Sequence, residues 1–214
     1  MSSHDLPMEA TDSRHRLFCS RSFRWIARRR GALTVALALV ALASALWGRR
    51  GPVDLFGPGA SPFGGLLWAL TILGTLVRIW GAGNLRKNKE VTRTGIYRMV
   101  RHPLYLGNCL IYLAFLLSLA GPVVGSSLFL LLYALHYPLM LQEEERLARE
   151  YPEQFETWQG TPRLLPDLSA FGEALANDCF CFRRAWQNRA YRTLWAPVLL
   201  PAVTEALSVL RGYV

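Results

Sequence analysis

The chain has 214 residues, of which 52% are hydrophobic and 18% are charged, and its formal net charge is +9. Soluble domains average about a quarter charged residues, whereas 40 consecutive residues here, from Pro103 to Gln142, carry no formal charge. Because a membrane helix needs about 20 apolar residues, this stretch predicts two spans. A soluble enzyme, a disordered regulator and a secreted disulfide scaffold are therefore excluded.

The basic residues flank the apolar stretches instead of forming one block. This distribution is typical of the cytoplasmic ends of membrane helices, whereas a nucleic-acid reader would gather basic residues on one folded face. The four cysteines lack the spacing of zinc ligands, since Cys179 and Cys181 form a CxC pair with no histidine nearby. We therefore expect a lipid bilayer as a partner, no nucleic acid and no metal site.

In chain order, residues 1–30 predict an Arg-rich cytoplasmic tail, and four apolar stretches predict membrane spans. The spans lie near residues 31–47, 63–80, 103–120 and 123–141. Gly121 and Pro122 both disfavour a continuous helix and predict the turn between the last two spans. A charged cytoplasmic helix is predicted to follow at residues 142–158.

The positions of the basic residues also predict the orientation. The N-terminal tail, the loop after the second span and the residues after the fourth span hold 21 of the 24 basic residues. Four spans bring these segments to one side, which should be cytoplasmic by the positive-inside rule. Both termini are then expected in the cytoplasm, and the excess of Arg over Lys favours a bacterial inner membrane. The predicted fold is all-α, a polytopic membrane helix bundle whose core covers residues 31–166.

The C-terminal segment, residues 167–214, contains one further apolar stretch, Leu194–Leu210. Pro197, Pro201 and Glu205 interrupt this stretch, and burying Glu205 at the bilayer centre would cost about 2–3 kcal/mol. We therefore expect an interfacial or re-entrant helix there in preference to a fifth membrane span.

The start of the third span predicts an anion-binding helix end. Pro103 suits the first helical position, because its missing N–H would have no partner there. His102 then caps the helix and Arg101 precedes it, so backbone N–H groups, the positive end of the helix dipole and a cation lie together. Gly107, one turn later, leaves room for a ligand or a neighbouring helix. A well-capped membrane helix with an interfacial Arg is the alternative interpretation.

Three acids, Glu143, Glu144 and Glu145, directly follow the fourth span. Because the third and fourth spans form a hairpin, these acids return to the membrane face that carries Arg101 and His102. Adjacent carboxylates repel one another, so a nearby cation is expected to relieve them. A solvated helix stabilised by salt bridges is the alternative for this segment.

Together these features resemble the integral-membrane methyltransferases of the isoprenylcysteine carboxyl methyltransferase and phospholipid N-methyltransferase superfamily. The resemblance covers roughly residues 62–166. The matching residues are Thr92 to Tyr97 (TRTGIY), Arg101 to Tyr105 (RHPLY), Glu143, Glu144, Leu147, Tyr151, Phe155, Trp158, Thr161, Pro162, Arg163 and Pro166.

The resemblance implies methyl transfer from S-adenosyl-L-methionine, bound in a cytoplasmic pocket at the end of the helical hairpin. It implies that the cofactor is bound by Val91, Thr92, Tyr97, Arg101, His102, Pro103, Leu104, Tyr105, Glu143 and Glu144. Val91 and Thr92 would cover the adenine, and Glu143, ahead of Glu144, would bind a polar part of the cofactor. His102 is a candidate catalytic base, and a purely structural contact to the cofactor explains it equally well.

The methyl acceptor is expected to be membrane-embedded or amphipathic, with a lipid amine, a thiol and a carboxylate left open. In the isoprenylcysteine branch a basic residue is expected one helical turn before the paired acids, and this chain has Leu139 there. That departure argues against carboxyl methylation of a prenylated cysteine. The alternative function is a non-catalytic membrane scaffold or ligand sensor that retains the same fold.

Overall fold

The computed structural model describes residues 21–48, 52–53, 55, 61–87, 89–158 and 160–212. The first 20 residues of the predicted Arg-rich tail lie outside this range. Throughout the described residues the regular elements are helices, which confirms the predicted all-α class. The α-helices are α1 (Arg21–Trp47), α2 (Pro62–Asn84), α3 (Pro103–Glu150), α4 (Pro152–Trp158), α5 (Phe171–Ala176), α6 (Phe182–Gln187) and α7 (Ala196–Gly212).

Three helical stretches are long and apolar enough to cross a membrane, namely Pro62–Asn84, Pro103–Glu150 and Ala190–Arg211. A shorter apolar stretch, Gly31–Trp47, forms the second part of α1. The protein is therefore a multi-pass membrane helix bundle. In the structure α1 begins at Arg21, ten residues before the predicted first span.

The long helix α3 is a hairpin of two antiparallel halves. Gly121 has φ 72° and ψ 176°, a region that is essentially restricted to glycine, and Pro122 follows as the first residue of the returning half. The two halves pack closely, because a Cβ added at Gly125 would lie 2.5 Å from the carbonyl oxygen of Leu116. This turn brings residue 144 back to residue 102. The start of the first half and the end of the returning half therefore lie together at one end of the bundle.

Helix α2 crosses the first half of α3 at a pair of glycines. A Cβ at Gly74 would lie 2.7 Å from the carbonyl oxygen of Gly107, and a Cβ at Gly107 would lie 2.6 Å from that of Gly74. Small residues at such crossings let helix backbones approach closely in membranes. The space beside Gly107 is therefore filled by a neighbouring helix. Of the two alternatives predicted from the sequence, a ligand or a neighbouring helix, the structure shows the second.

The helix predicted at residues 142–158 is divided in the structure. Helix α3 continues without interruption from the apolar run to Glu150, and Tyr151 then adopts φ −140° and ψ 63° before α4 begins at Pro152. A residue before proline is disfavoured in the α conformation because of the clash with the proline ring. The break therefore follows directly from Pro152.

The C-terminal segment runs antiparallel to α2 along its whole length. Side-chain hydrogen bonds join successive points of the two segments. They run from Asn188 to the carbonyl of Ala82, from Thr75 to the carbonyl of Thr193 and from Trp68 to the carbonyl of Pro197. Beyond these points Leu200 packs with Leu67 and Leu55, at the other end of α2.

The sequence left an interfacial or re-entrant helix and a fifth membrane span as alternatives for Leu194–Leu210, and Ala190–Arg211 is long and apolar enough to cross a membrane. Residues 190–211 run from one end of the bundle to the other, and Arg211 donates hydrogen bonds to the carbonyls of Ala45 and Gly48 at the end of α1. Glu205 did not prevent this path because it lies beyond Leu200, near the far end of the bundle, and is exposed. The charge does not lie at the middle of this segment.

Candidate functional site

A cavity of about 640 Å³ lies at the end of the bundle where the hairpin begins and ends. Its volume falls within the range of small-molecule binding pockets, about 300–1,000 Å³. Nine of the ten predicted cofactor-binding residues line this cavity, and Glu144 does not. The nine are Val91, Thr92, Tyr97, Arg101, His102, Pro103, Leu104, Tyr105 and Glu143.

The RHP motif forms the start of α3 as predicted from the sequence. His102 occupies the cap position and Pro103 the first helical position. The backbone N–H groups of Arg101 and His102 do not face a ligand, however, because they donate to the carbonyls of Pro162 and Arg163 at 2.8 and 3.2 Å. The segment that follows α4 therefore pairs with the motif and fixes its position.

Glu144 is the centre of a buried charge cluster. Its carboxylate accepts hydrogen bonds at 3.0 Å from Nε2 of His102 and from Nε of Arg163. The Nη1 atom of Arg101 lies 3.3 Å from the same oxygen. Glu144 is only 6% exposed, so this carboxylate connects both arms of the hairpin with the segment after α4.

The ionisation of this cluster follows from its geometry. The apolar run of α3 ends at Leu141, and Glu144 lies beyond it. Burial alone would raise the pKa of Glu144, but hydrogen bonds from His102 and Arg163 and the charge of Arg101 lower this pKa to about 2. The hydrogen bond to Glu144 raises the pKa of Arg163. Glu144 is therefore ionised at neutral pH, and its carboxylate oxygens are engaged by residues of the cluster.

Glu143 faces the cavity on the other side of the same helix. Burial raises the pKa of the Tyr97 hydroxyl, and the charge of Glu143 raises it further, which places the two side chains within electrostatic reach of each other. Among the described residues, Glu143 makes no ion pair with the Glu144 cluster, and it lines the cavity with Tyr97. Its carboxylate can therefore accept hydrogen bonds in the cavity.

The loop between α2 and α3 forms another wall of the cavity. The backbone N–H of Val91 donates to the side chain of Gln154 in α4 at 2.9 Å, and the hydroxyl of Thr92 accepts from the backbone N–H of Arg86 at 3.0 Å. Both residues are buried. These bonds hold the wall against α4, so the helical segment after the hairpin also shapes the pocket.

Several lining residues were missed by the sequence reasoning. Arg78 and Asn108 come from the crossing of α2 and α3, where Nη1 of Arg78 donates to the side chain of Asn108 and to the carbonyl of Leu104. Trp158 is 3% exposed and lies edge-on to His102, at 5.7 Å between ring centroids. The sequence contains one signal for these missed residues, namely the charge of Arg78 inside an otherwise apolar helix.

Three residues from the C-terminal segment, Gln187, Asn188 and Arg189, complete the lining. The side chain of Asn188 donates to the carbonyls of Ala82 and Leu85 at 2.9 and 3.1 Å, so this wall is fixed to the end of α2. The sequence offered no signal for these residues, because their contribution depends on contacts between segments that lie about a hundred positions apart.

The donor set of the cavity suits an amino-acid and nucleoside ligand. Within the described part of the chain, the buried Nε atoms of Arg78 and Arg101 and Nε1 of Trp158 have no hydrogen-bond partner, although all three residues line the cavity. Unpaired buried donors carry a free-energy cost unless a ligand or water satisfies them. Glu143 supplies an acceptor and Tyr105 an aromatic face, so the residues present fit a ligand that has carboxylate, amine, hydroxyl and cationic sulfonium groups.

Residues 63–154 match the profile of the phospholipid methyltransferase family. This segment comprises α2, both halves of α3 and the first residues of α4, and it carries most of the cavity wall. This segment, 92 of the 214 residues of the chain, is therefore similar to the phospholipid methyltransferase family. The match confirms the predicted resemblance and supports methyltransferase activity in general. The cavity wall formed by residues 187–189 lies outside the matched domain.

Two curated proteins are similar to the chain. It is 33% identical over 102 residues to the nickel-cobalt-cadmium resistance protein NccN of Alcaligenes xylosoxydans xylosoxydans, covering 46% of this chain and 47% of that protein. It is 35% identical over 113 residues to the cobalt-zinc-cadmium resistance protein CzcN of Cupriavidus metallidurans, covering 50% and 52%. The chain thus spans about half the length of these relatives. No solved structure matches the chain.

Proposed function

We propose that this protein is an S-adenosylmethionine-dependent methyltransferase that acts on an acceptor at the cytoplasmic face of the membrane. The observation that carries the proposal is the 640 Å³ cavity, in which nine predicted cofactor-binding residues converge. Methyltransferases of the matched family generally use this cofactor. The cytoplasmic orientation rests on the basic residues of the loop before α3 and of the segment after it.

When bound, S-adenosylmethionine supplies an electrophilic methyl group attached to a cationic sulfur. The chain would hold the ligand and exclude water, which are the main protein contributions to an in-line displacement. Glu143 would accept hydrogen bonds from the ligand's hydroxyl or amine groups. The aromatic face of Tyr105 would stabilise the sulfonium, and Val91 and Thr92 would cover the adenine.

The structure favours a positioning role for His102 over a role as catalytic base. Its Nε2 atom is engaged with Glu144 at 3.0 Å, and its ring packs edge-on against Tyr105 and Trp158 at 5.7 Å. A ring held on three sides orients the start of α3. For a neutral acceptor, the group that we propose to receive its proton is Glu143, because Glu90, the other acid that lines the cavity, is paired with Arg86.

The acceptor is proposed to be membrane-embedded or amphipathic, and a lipid amine, a thiol and a carboxylate fit this description. A narrow apolar cleft between the two halves of α3 is lined by Tyr105, Asn108, Tyr112 and Tyr133. Of these residues, Tyr105 and Asn108 also line the main cavity. The cleft, of about 10 Å³, adjoins the cavity at these two residues. We propose that an acceptor with an apolar portion approaches the cavity from this side.

The test is isothermal titration calorimetry of the detergent-purified protein with S-adenosylmethionine and S-adenosylhomocysteine. The proposal expects saturable binding to the wild type and a loss of at least tenfold in affinity for Glu143→Ala. The matched control is Glu145→Ala, because Glu145 pairs with Arg149 on the surface of the same helix and does not line the cavity. Its affinity should equal that of the wild type.

Two other outcomes would contradict the proposal. A folded wild type that binds neither compound would exclude the cofactor and favour the non-catalytic scaffold or sensor. Equal losses in Glu143→Ala and Glu145→Ala would show that the affinity depends on overall charge and not on the cavity. A second measurement, transfer of radiolabelled methyl to membrane lipid extracts, then separates lipid acceptors from small thiols and carboxylates.

A further inference from the structure

We propose that Arg189 binds the carboxylate of the amino-acid portion of S-adenosylmethionine, so that the C-terminal segment completes the cofactor site. This inference rests on the proposed function. Arg189 lines the cavity but lies outside residues 63–154, which match the methyltransferase family. The cofactor site would therefore extend beyond the matched segment.

The first observation is the charge distribution of the cavity. Five cations line it, namely Arg78, Lys87, Arg101, Arg146 and Arg189, against two acids, Glu90 and Glu143. Arg101 and Arg146 are neutralised by acids outside the cavity, and Glu90 is paired with Arg86. The excess of cations that remains calls for an anionic group on the ligand.

The second observation concerns which of these cations is available. The sequence predicts that Arg101 lies beside a bound anion, but in the structure Arg101 is paired with Glu144. Arg78 also lacks an acidic partner, but its Nη1 atom is already bonded to the side chain of Asn108 and to the carbonyl of Leu104. Among the described residues, Lys87 and Arg189 are the lining cations whose side chains make neither an ion pair nor a hydrogen bond. Of these two, a guanidinium binds a carboxylate through two parallel hydrogen bonds, which an ammonium cannot do.

The third observation is the backbone of Arg189 itself. It is the one described non-glycine residue with a positive φ, at 59° with ψ 29°. Left-handed conformations of such residues are unfavourable and persist only where the surrounding structure enforces them. Here Asn188 is bonded to the carbonyls of Ala82 and Leu85 and Ala190 is 5% exposed against Ala82. The strained residue is thus held on both sides and directed to the cavity rim.

The experiment compares two ligands that differ only in the carboxylate. Calorimetry is performed with S-adenosylmethionine and its decarboxylated analogue, on wild type, Arg189→Gln and Lys87→Gln. We expect the wild type to bind S-adenosylmethionine about tenfold more tightly than the analogue, the value of one charge-assisted interaction. Arg189→Gln should bind both ligands equally. Lys87→Gln removes the same charge from the same cavity and should keep the tenfold preference.

A further variant separates the side chain from the backbone. Arg189→Gly removes the guanidinium and suits the left-handed conformation, so it should melt at or above the wild-type temperature and still lose the preference. Retention of the preference in both Arg189 variants would overturn the inference while leaving the proposed function intact. A wild type that binds neither ligand would instead overturn the proposed function. Equal loss of preference in Lys87→Gln would show a general field effect and would also overturn the inference.

Discussion

Glu143 and Glu144 are adjacent on α3, yet one lines the cavity and the other is buried in an ion-pair cluster behind it. One residue along a helix corresponds to a rotation of about 100°, because a turn contains 3.6 residues. The paired acids therefore divide two tasks between them. Glu143 presents its carboxylate to the cavity, and Glu144 fixes Arg101 and His102 in the cavity wall.

The first prediction concerns the stability that Glu144 provides. Glu144→Gln leaves Arg101 and Arg163 without their shared anion in a buried site, and breaking a buried ion pair costs about 3–5 kcal/mol. We expect a clear fall in the melting temperature of the protein in detergent. Glu145→Gln is the matched control, since it removes an exposed pair worth at most about 1 kcal/mol. Similar melting temperatures for the two variants would contradict the role of the cluster.

The second prediction concerns acid. The pKa of Glu144 is lowered from 4.5 to about 2 in the fold. A depressed pKa means that the carboxylate stabilises the fold above its ordinary pKa, and that this contribution disappears as the pH falls towards 2. The difference in melting temperature between wild type and Glu144→Gln should therefore be constant from pH 7 to 5 and shrink between pH 4 and 3. A difference that does not change over this range would show that ionisation of Glu144 does not support the fold.

The sequence predicted the parts of this site that depend on order along the chain. Gly121 and Pro122 identified the hairpin turn, and the hairpin then placed the acids opposite Arg101 and His102. The order Glu143 ahead of Glu144 came from the family resemblance alone, because which acid faces the cavity depends on the rotation of α3 against its neighbours. The position of Glu205 relative to the bundle was likewise not predictable from the sequence. It follows from the structure, in which Leu200 packs at the end of α2 and Glu205 lies beyond Leu200.

The third prediction tests the crossing of α2 and α3. Gly74→Ala would place a methyl group 2.7 Å from a backbone oxygen of Gly107 and 2.9 Å from the side chain of Ile111. Because a backbone atom cannot easily move away, we expect a loss of about 1–3 kcal/mol and weaker ligand binding, since Arg78 follows one turn later. Gly65→Ala lies on the same helix with nothing within 4 Å. It should be neutral or stabilising by up to about 1 kcal/mol. The proposed crossing fails if both variants melt at the same temperature.

The fourth prediction concerns the topology of the C-terminal segment. Asn188 lies at the pocket end of α2, whereas Arg211 is bonded to Ala45 and Gly48 at the end of α1. If residues 190–211 cross the membrane, Cys179 and the C terminus lie on opposite sides, contrary to the expectation that both termini are cytoplasmic. A variant that retains Cys179 as its single cysteine should resist a membrane-impermeant maleimide in intact cells and react after lysis. A protease-sensitive tag fused after Val214 should be removed from the outside of the same cells. Protection of both groups in intact cells would show instead that the segment returns to the cytoplasmic side, and that Glu205 prevents the crossing after all.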